Sequence, residues 1–144
     1  MVSDYCKKWI EYAQNDIRIA TQEMGAHVNP RHRAYEAILY HCQQGAEKMF
    51  KAYLLCNGVT QWGHDLEVLR MACTSFDKSF NSIRLAKHCA YLGLFVAARY
   101  PDFKMASVDA NNAGRAINSA KRVFDFVSVR LGLGEMYFKV KDKS

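Results

Sequence analysis

The chain has 144 residues, enough for one domain with a sizeable core, and half of them are hydrophobic while only two are proline. This composition favours a helical bundle over a β-sandwich. A formal charge of +6 is compatible with an anionic partner such as a nucleotide or nucleic acid, and it is equally typical of a basic, solvated surface.

Cysteine usage and the distribution of apolar residues indicate the compartment. The five cysteines form no CxxC pair and lie inside helical patterns, as buried apolar residues of a reducing compartment do. The N-terminus is polar and aromatic, which predicts no signal peptide. The longest apolar run, residues 89–98, is about half of the ~20 residues that a membrane span needs. We therefore expect a cytoplasmic protein without a membrane segment or cofactor.

The first helix is predicted over residues 4–25. Its apolar stripe consists of Tyr5, Trp9, Ala13, Ile17, Ala20 and Met24. Asp16 lies beside this stripe, and a carboxylate at a core boundary needs a partner, for which Lys48 is the candidate. The alternative is that Asp16 reaches solvent.

Residues 25–33 contain the glycine, asparagine and proline that break the helix. His27 and His32 lie in this loop beside two arginines. No cysteine or carboxylate accompanies them at metal-ligand spacing, so a solvated basic loop is favoured and no metal site is predicted.

The central helix is predicted over residues 35–57. One side is apolar: Ile38, Leu39, Cys42, Ala46, Phe50, Tyr53 and Leu54. The other side is polar: Tyr40, Gln43, Gln44, Glu47, Lys48 and Lys51. Glu47 and Lys51 are spaced as a helix-surface ion pair, and Asn57 and Gly58 both tolerate the left-handed conformation of a C-terminal cap. Other helices must cover the apolar side.

Two shorter helices are expected next. Asp65 caps the third, whose inward residues are Leu66, Leu69, Cys73 and Phe76. The fourth is predicted over about residues 80–98, and its second half is apolar nearly all round, which indicates burial inside the bundle or at a subunit contact.

Pro101 stops the fourth helix, and Arg99, Tyr100 and Asp102 surround that stop. The planar donors of arginine suit a phosphate or carboxylate ligand. The alternative is an Arg99–Asp102 pair that only locks the corner.

The last helix is predicted over about residues 107–131, with an a/d-like seam of Ala110, Ala113, Ile117, Ala120, Phe124, Val127 and Leu131. A polar stripe of Asn111, Arg115, Asn118 and Arg122 lies away from it and is suited to solvent, an anion or a second subunit. Together the elements predict an all-α, up-and-down antiparallel bundle of four to five helices over residues 1–131, with a loosely held tail over 132–144.

Four motifs in this order resemble the HEPN domain family. They are Gln43-Gln44-Gly45-Ala46-Glu47-Lys48 with Lys51-Ala52, Gly63-His64-Asp65-Leu66, Arg99-Tyr100-Pro101-Asp102, and the alanine-rich last helix. The segment Ala13-Gln14-Asn15-Asp16-Ile17 also resembles the acid-containing first helix of the family. The resemblance implies a helical bundle that commonly forms a homodimer, binds nucleotides and acts beside a nucleotidyltransferase, often in a toxin–antitoxin pair.

Many HEPN relatives are metal-independent ribonucleases with an Arg-x4-6-His motif, and this chain departs from it. Lys104, Met105 and Ala106 stand where the histidine would follow Arg99, while Arg84 and His88 are spaced too closely. Cleavage through the RNA 2'-hydroxyl needs a group that moves a proton. The departure therefore favours a binding module over an enzyme.

The leading hypothesis is a HEPN-type module that holds a nucleotide or other anionic ligand in a cleft lined by Gln44, Lys48, His64, Arg99, Tyr100 and Asp102. Lys48 and Arg99 would contact phosphate, Tyr100 would stack on a base, and Asp102 would orient Arg99. One alternative is a metal-independent endoribonuclease in which His64 or His88 replaces the missing histidine. The other is a non-catalytic interaction subunit that binds a nucleotidyltransferase.

Overall fold

The computed structural model describes residues 2–103 and 108–139, and these residues contain helices and no strands. The α-helices are α1 (Asp4–Met24), α2 (Tyr35–Cys56), α3 (Leu66–Thr74), α4 (Ile83–Gly93) and α5 (Ala110–Arg130). Short 3-10 helices lie at Pro30–His32 and Lys78–Asn81. The predicted all-α class is confirmed. Within the described ranges, no helix combines the length and the apolar character that crossing a bilayer requires.

Helix α2 is the centre of the bundle, because it packs against each of the other four α-helices. Every residue of its predicted apolar stripe is buried. α1 lies antiparallel to it, with Glu23 accepting a hydrogen bond from the Ala34 amide at one end. Gly45 allows this approach, since a Cβ there would lie 3.1 Å from Ile17 Cγ1 and 3.3 Å from the Ala13 carbonyl oxygen.

The helix ends follow from residue type. Asp65 caps α3 as predicted, accepting from the amides of Glu67 and Val68. At the end of α2, the Gly58 and Val59 amides donate to the Leu55 and Leu54 carbonyls, which is a Schellman motif. Gly58 alone takes the left-handed conformation, at φ 78°, whereas Asn57 stays at φ −100°. Of the two residues expected to form the left-handed cap, only Gly58 adopts that conformation.

The fourth helix is shorter than its predicted extent of about 80–98. Residues 78–81 form a 3-10 helix, and the Ser82 hydroxyl then caps α4 by accepting from the Leu85 amide. After Gly93 the chain continues in turns through residue 102. Phe95 stays fully buried while Leu94 is exposed, so only part of the apolar run is covered.

Three residues predicted to face the core do not. Tyr5 is 63% exposed, and Cys6 and Ile10 take the inward positions of α1 instead. Phe76 is exposed because α3 ends before it, at Thr74. Ala110 is exposed in the first turn of α5, although the rest of the seam is buried as far as Val127. The predicted start of that helix at residue 107 lies outside the described residues.

The beginning of the tail is held against the bundle rather than loosely attached. The Asp125 carboxylate accepts hydrogen bonds from the backbone amides of Met136, Tyr137 and Phe138 at 2.6 to 3.0 Å. Arg122 stacks over the Phe138 ring at 3.8 Å from its centroid. Residues 140–144 lie outside the described part of the chain.

Candidate functional site

The polar side of α2 is mostly buried, although its composition predicted a surface. Glu47 is 3% exposed and lies at the centre of this cluster. Its Oε1 accepts from the side-chain amides of Gln43 and Gln44, both at 3.3 Å, and lies 2.9 Å from His64 Nδ1. Lys51 Nζ donates to Oε2 at 3.2 Å, so the predicted Glu47–Lys51 pair forms, but in the interior.

His64 is the part of this cluster that a ligand reaches most readily. Its side chain is 56% exposed while its Nδ1 is held by the buried carboxylate of Glu47. Its backbone carbonyl accepts from Gln43 Nε2 at 3.2 Å, which fastens the loop before α3 to α2. Gln44 is buried and donates to Gln43 Oε1 at 2.7 Å. Gln44 therefore stabilises the cluster and is not exposed to a ligand.

The predicted pairing of Asp16 with Lys48 is confirmed. Asp16 is 6% exposed, and its Oδ2 accepts from Lys48 Nζ at 2.5 Å. The other oxygen lies 2.8 Å from His41 Nδ1, so one buried acid has two basic partners on α2. Such pairing offsets the cost of removing a carboxylate from water. Lys48 also lines an open hollow of about 310 Å³ beside Trp9.

Arg99 lies at the surface and is held by tyrosines. Its Nη1 donates to the Tyr40 hydroxyl at 2.8 Å, and its guanidinium lies 5.3 Å from the Tyr40 ring centroid and 4.8 Å from that of Tyr100. Hydrogen bonding to Tyr40, and then to Tyr100, holds the pKa of Arg99 above its usual value. The guanidinium is thus charged, oriented and open to solvent.

Asp102 does not orient Arg99. Among residues 2–103 and 108–139, no carboxylate lies within 4 Å of the Arg99 guanidinium, and Asp102 is exposed. Both the predicted orienting role and the alternative of an Arg99–Asp102 lock are therefore wrong. Tyr40 orients Arg99 instead, through the hydrogen bond to its hydroxyl.

Five of the six predicted site residues lie in three places along α2. Arg99 and Tyr100 meet it at Tyr40, Lys48 meets Asp16, and Gln44 and His64 meet at Glu47. Along the helix axis, Tyr40 and Glu47 lie about 10 Å apart. Tyr40 and His41 were not predicted as partners, although both belong to α2 and Tyr40 lies one turn before Gln44.

The second histidine considered for catalysis, His88, lies on α4. Its Nδ1 is 2.9 Å from the Ser119 hydroxyl of α5. Burial, and then the positive charges of Arg122, Arg84 and Arg115, lower its pKa below the usual 6.5. Residues 104–106, where a relative would carry the histidine, lie outside the described residues. Across the ranges that the structure covers, no cluster of histidine, cysteine or carboxylate side chains suits a metal ion.

The helical bundle agrees with the comparisons with known proteins. The HEPN domain family model matches residues 6–130. This chain belongs to the HEPN domain family. Two solved structures share the fold of this HEPN domain. TT1696 from Thermus thermophilus has a TM-score of 0.75 and 24% identity, covering 89% of this chain and 99% of its own.

The second structure is ST0689, an archaeal HEPN homologue, with a TM-score of 0.65 and 22% identity. The alignment covers 88% of this chain and 97% of that one. At these identities the likeness concerns the fold. The search of curated proteins found no match.

Proposed function

We propose that this HEPN domain is a binding module for a nucleotide or another anionic ligand, with Arg99 as the main phosphate contact. One observation carries the proposal: the guanidinium is exposed and oriented by Tyr40, with no carboxylate partner in the described residues. An arginine presented in this way offers several unused donors in a planar arrangement.

The other contacts are assigned from position and chemistry. Tyr100 is 52% exposed beside Arg99, so its ring is open to stacking with a base. Lys48 and His64 add cationic and hydrogen-bonding groups further along α2, and Gln44 positions Glu47 behind them. Asp102 is exposed near Arg99 and is suited to accept from a ligand hydroxyl or amine.

We further propose that the module forms a homodimer and acts with a nucleotidyltransferase in a toxin–antitoxin context. Family membership supports this, together with three large aromatic side chains left at the surface: Tyr5 at 63% exposed, Tyr12 at 61% and Trp62 at 84%. Analytical ultracentrifugation tests the dimer. Co-purification with the product of a neighbouring nucleotidyltransferase gene tests the partner, and a monomer that captures no such protein would contradict both.

A thermal-shift titration tests the binding site. Nucleoside mono-, di- and triphosphates and a short RNA are each added to the wild type and to Arg99→Ala. A ligand at a hundredfold excess over its Kd stabilises the native state by roughly 2.7 kcal/mol, which moves the midpoint measurably. We expect at least one of these ligands to shift the midpoint of the wild type but not that of Arg99→Ala, while the midpoint of the ligand-free protein stays unchanged.

Arg31→Ala is the matched control, because Arg31 is an exposed arginine of the first 3-10 helix and the charge change is the same. Equal losses of ligand response in both variants would mean that only net charge matters. A lower midpoint of ligand-free Arg99→Ala would mean that Arg99 serves the fold and not a ligand.

A ribonuclease is the second candidate function, and the Glu47–His64 pair favours it. A buried carboxylate on Nδ1 orients an exposed imidazole so that its other nitrogen can accept or donate a proton. Gel-based cleavage of a structured RNA with His64→Gln and His88→Gln is the test. Full activity in both variants would rule out a histidine mechanism at these positions.

A further inference from the structure

A second site lies between α4, α5 and residues 135–138, which pack back against α5. It is a cavity of about 260 Å³, lined by three arginines, Arg84, Arg122 and Arg130, together with His88. Two carboxylates, Asp125 and Glu135, also line it. None of the six residues proposed for the α2 site belongs to it.

Two of the three arginines are positioned by uncharged groups. Arg130 donates to the Ser79 hydroxyl and the Phe126 carbonyl, and Arg122 stacks over Phe138. In the described part of the chain, no carboxylate lies within 4 Å of any of the three guanidinium groups. The three guanidinium groups outnumber the two carboxylates of the cavity and form no ion pair with them, so the cavity attracts an anion.

The two acids of the cavity are differently placed. Both oxygens of Asp125 are occupied by the backbone amides of residues 136–138. Glu135 Oε2 is instead buried and has no hydrogen-bond partner among the described residues. A buried carboxylate oxygen without a donor is costly, so a ligand that brings an N–H or O–H group would relieve it.

We propose that this cavity binds a phosphate group belonging to a ligand that also donates a hydrogen bond. The phosphoryl oxygens accept hydrogen bonds from the guanidinium groups of Arg84 and Arg122, and Arg130 adds a third positive charge to the cavity. The ligand's own donor faces Glu135 Oε2. Two sources have this chemistry, hydrogen phosphate itself and a nucleoside monophosphate, whose base and sugar carry donors. The volume of the cavity is slightly below the usual range for small-molecule sites, which favours a ligand no larger than a nucleoside monophosphate.

Isothermal titration of the full chain at pH 7 tests the site, with inorganic phosphate, adenosine monophosphate and sulfate as probes. Sulfate matches phosphate in shape but carries no proton at this pH. We expect phosphate or the nucleotide to bind, and sulfate to bind at least tenfold more weakly. The probe that binds more tightly identifies the source of the phosphate group.

Three variants locate the binding. Arg84→Gln and Arg122→Gln should each weaken it at least tenfold, because a charge-assisted contact is lost. Glu135→Gln should remove the preference for phosphate over sulfate, because the amide can donate to either anion. Both arginines are exposed, so these variants should retain the wild-type circular dichroism.

Arg99→Ala separates this proposal from the site on α2. It removes binding at that site, and the binding that remains in this variant should belong to the cavity. Absence of binding by all probes at millimolar concentration overturns the proposal. So does binding that survives both arginine substitutions in the Arg99→Ala background, or the complete loss of binding in Arg99→Ala alone. Equal affinity for sulfate and phosphate overturns the role of Glu135.

Discussion

The α1–α2 side and the α4–α5 side of the bundle differ in whether their charged side chains form ion pairs. Asp16 and Glu47 are buried on the first side, and each contacts a lysine and a histidine. On the second side the arginines of the cavity have no acid within 4 Å among the described residues. On the first side the paired charges hold helices together and offer a ligand only their remaining donors, whereas no acid takes the guanidinium donors on the second side.

The largest effect is expected from breaking the internal pairing at Asp16. Asp16→Ala leaves the partly buried ammonium of Lys48 without an acid and removes the contact to His41. Losing one partner of a buried ion pair typically costs about 3–5 kcal/mol. Urea unfolding should show a loss of this size in the free energy of unfolding. Glu11→Ala, an exposed acid on the same helix, is the control, and an equal loss there would show that the pairing is unimportant.

A smaller loss is expected from Glu47→Gln. Glutamine keeps the shape and can still accept from Gln43 or Gln44, but the Lys51 ammonium loses its counter-charge in the interior. We expect a loss of about 2 kcal/mol in the free energy of unfolding, mostly from that uncompensated lysine.

Restoring charge balance in the double variant Glu47→Gln, Lys51→Met should recover part of that loss, because methionine fills a similar volume without a charge. A double variant as unstable as Glu47→Gln alone would mean that the hydrogen bonds of Glu47 matter and its charge does not. Chemical denaturation of the wild type and these two variants measures this.

The comparison of the two sides also shows which features could be predicted from the sequence. The apolar stripe of α2 and the cap at Asp65 depend on local spacing and residue type, and both were predicted correctly. The Asp16–Lys48 pair was predicted because a buried acid needs a cation, and Lys48 is a polar residue of the central helix. These features follow from short-range rules.

The missed features depend on tertiary contacts. Residue type on a polar helix face does not reveal that the loop carrying His64 covers Glu47. The partner of Arg99 is Tyr40, 59 residues away, and no local rule favours it over the nearby Asp102. The same limit applies to α4, because an apolar run that continues past Gly93 has the composition of a helix while the chain forms turns.

The smallest effect on stability is expected from His88, whose pKa is lowered in part by the arginines of the α4–α5 side. Burial lowers its pKa most, followed by the charges of Arg122, Arg84 and Arg115, and its one described hydrogen bond is to the Ser119 hydroxyl. In the unfolded chain the imidazole takes up a proton as the pH falls through its usual value of 6.5, whereas in the folded protein it does so only at lower pH.

The contribution of His88 to the free energy of unfolding is therefore constant above pH 6.5 and falls below it, until the lowered pKa is reached. The loss should be smaller than that of Glu47→Gln. His88→Gln should flatten this part of the pH profile, and Arg122→Gln should raise the pKa of His88 measured by NMR titration. A pKa for His88 at or above 6.5 in the wild type would mean that the arginines are neutralised by a group or ion, and the contrast between the two sides would then disappear.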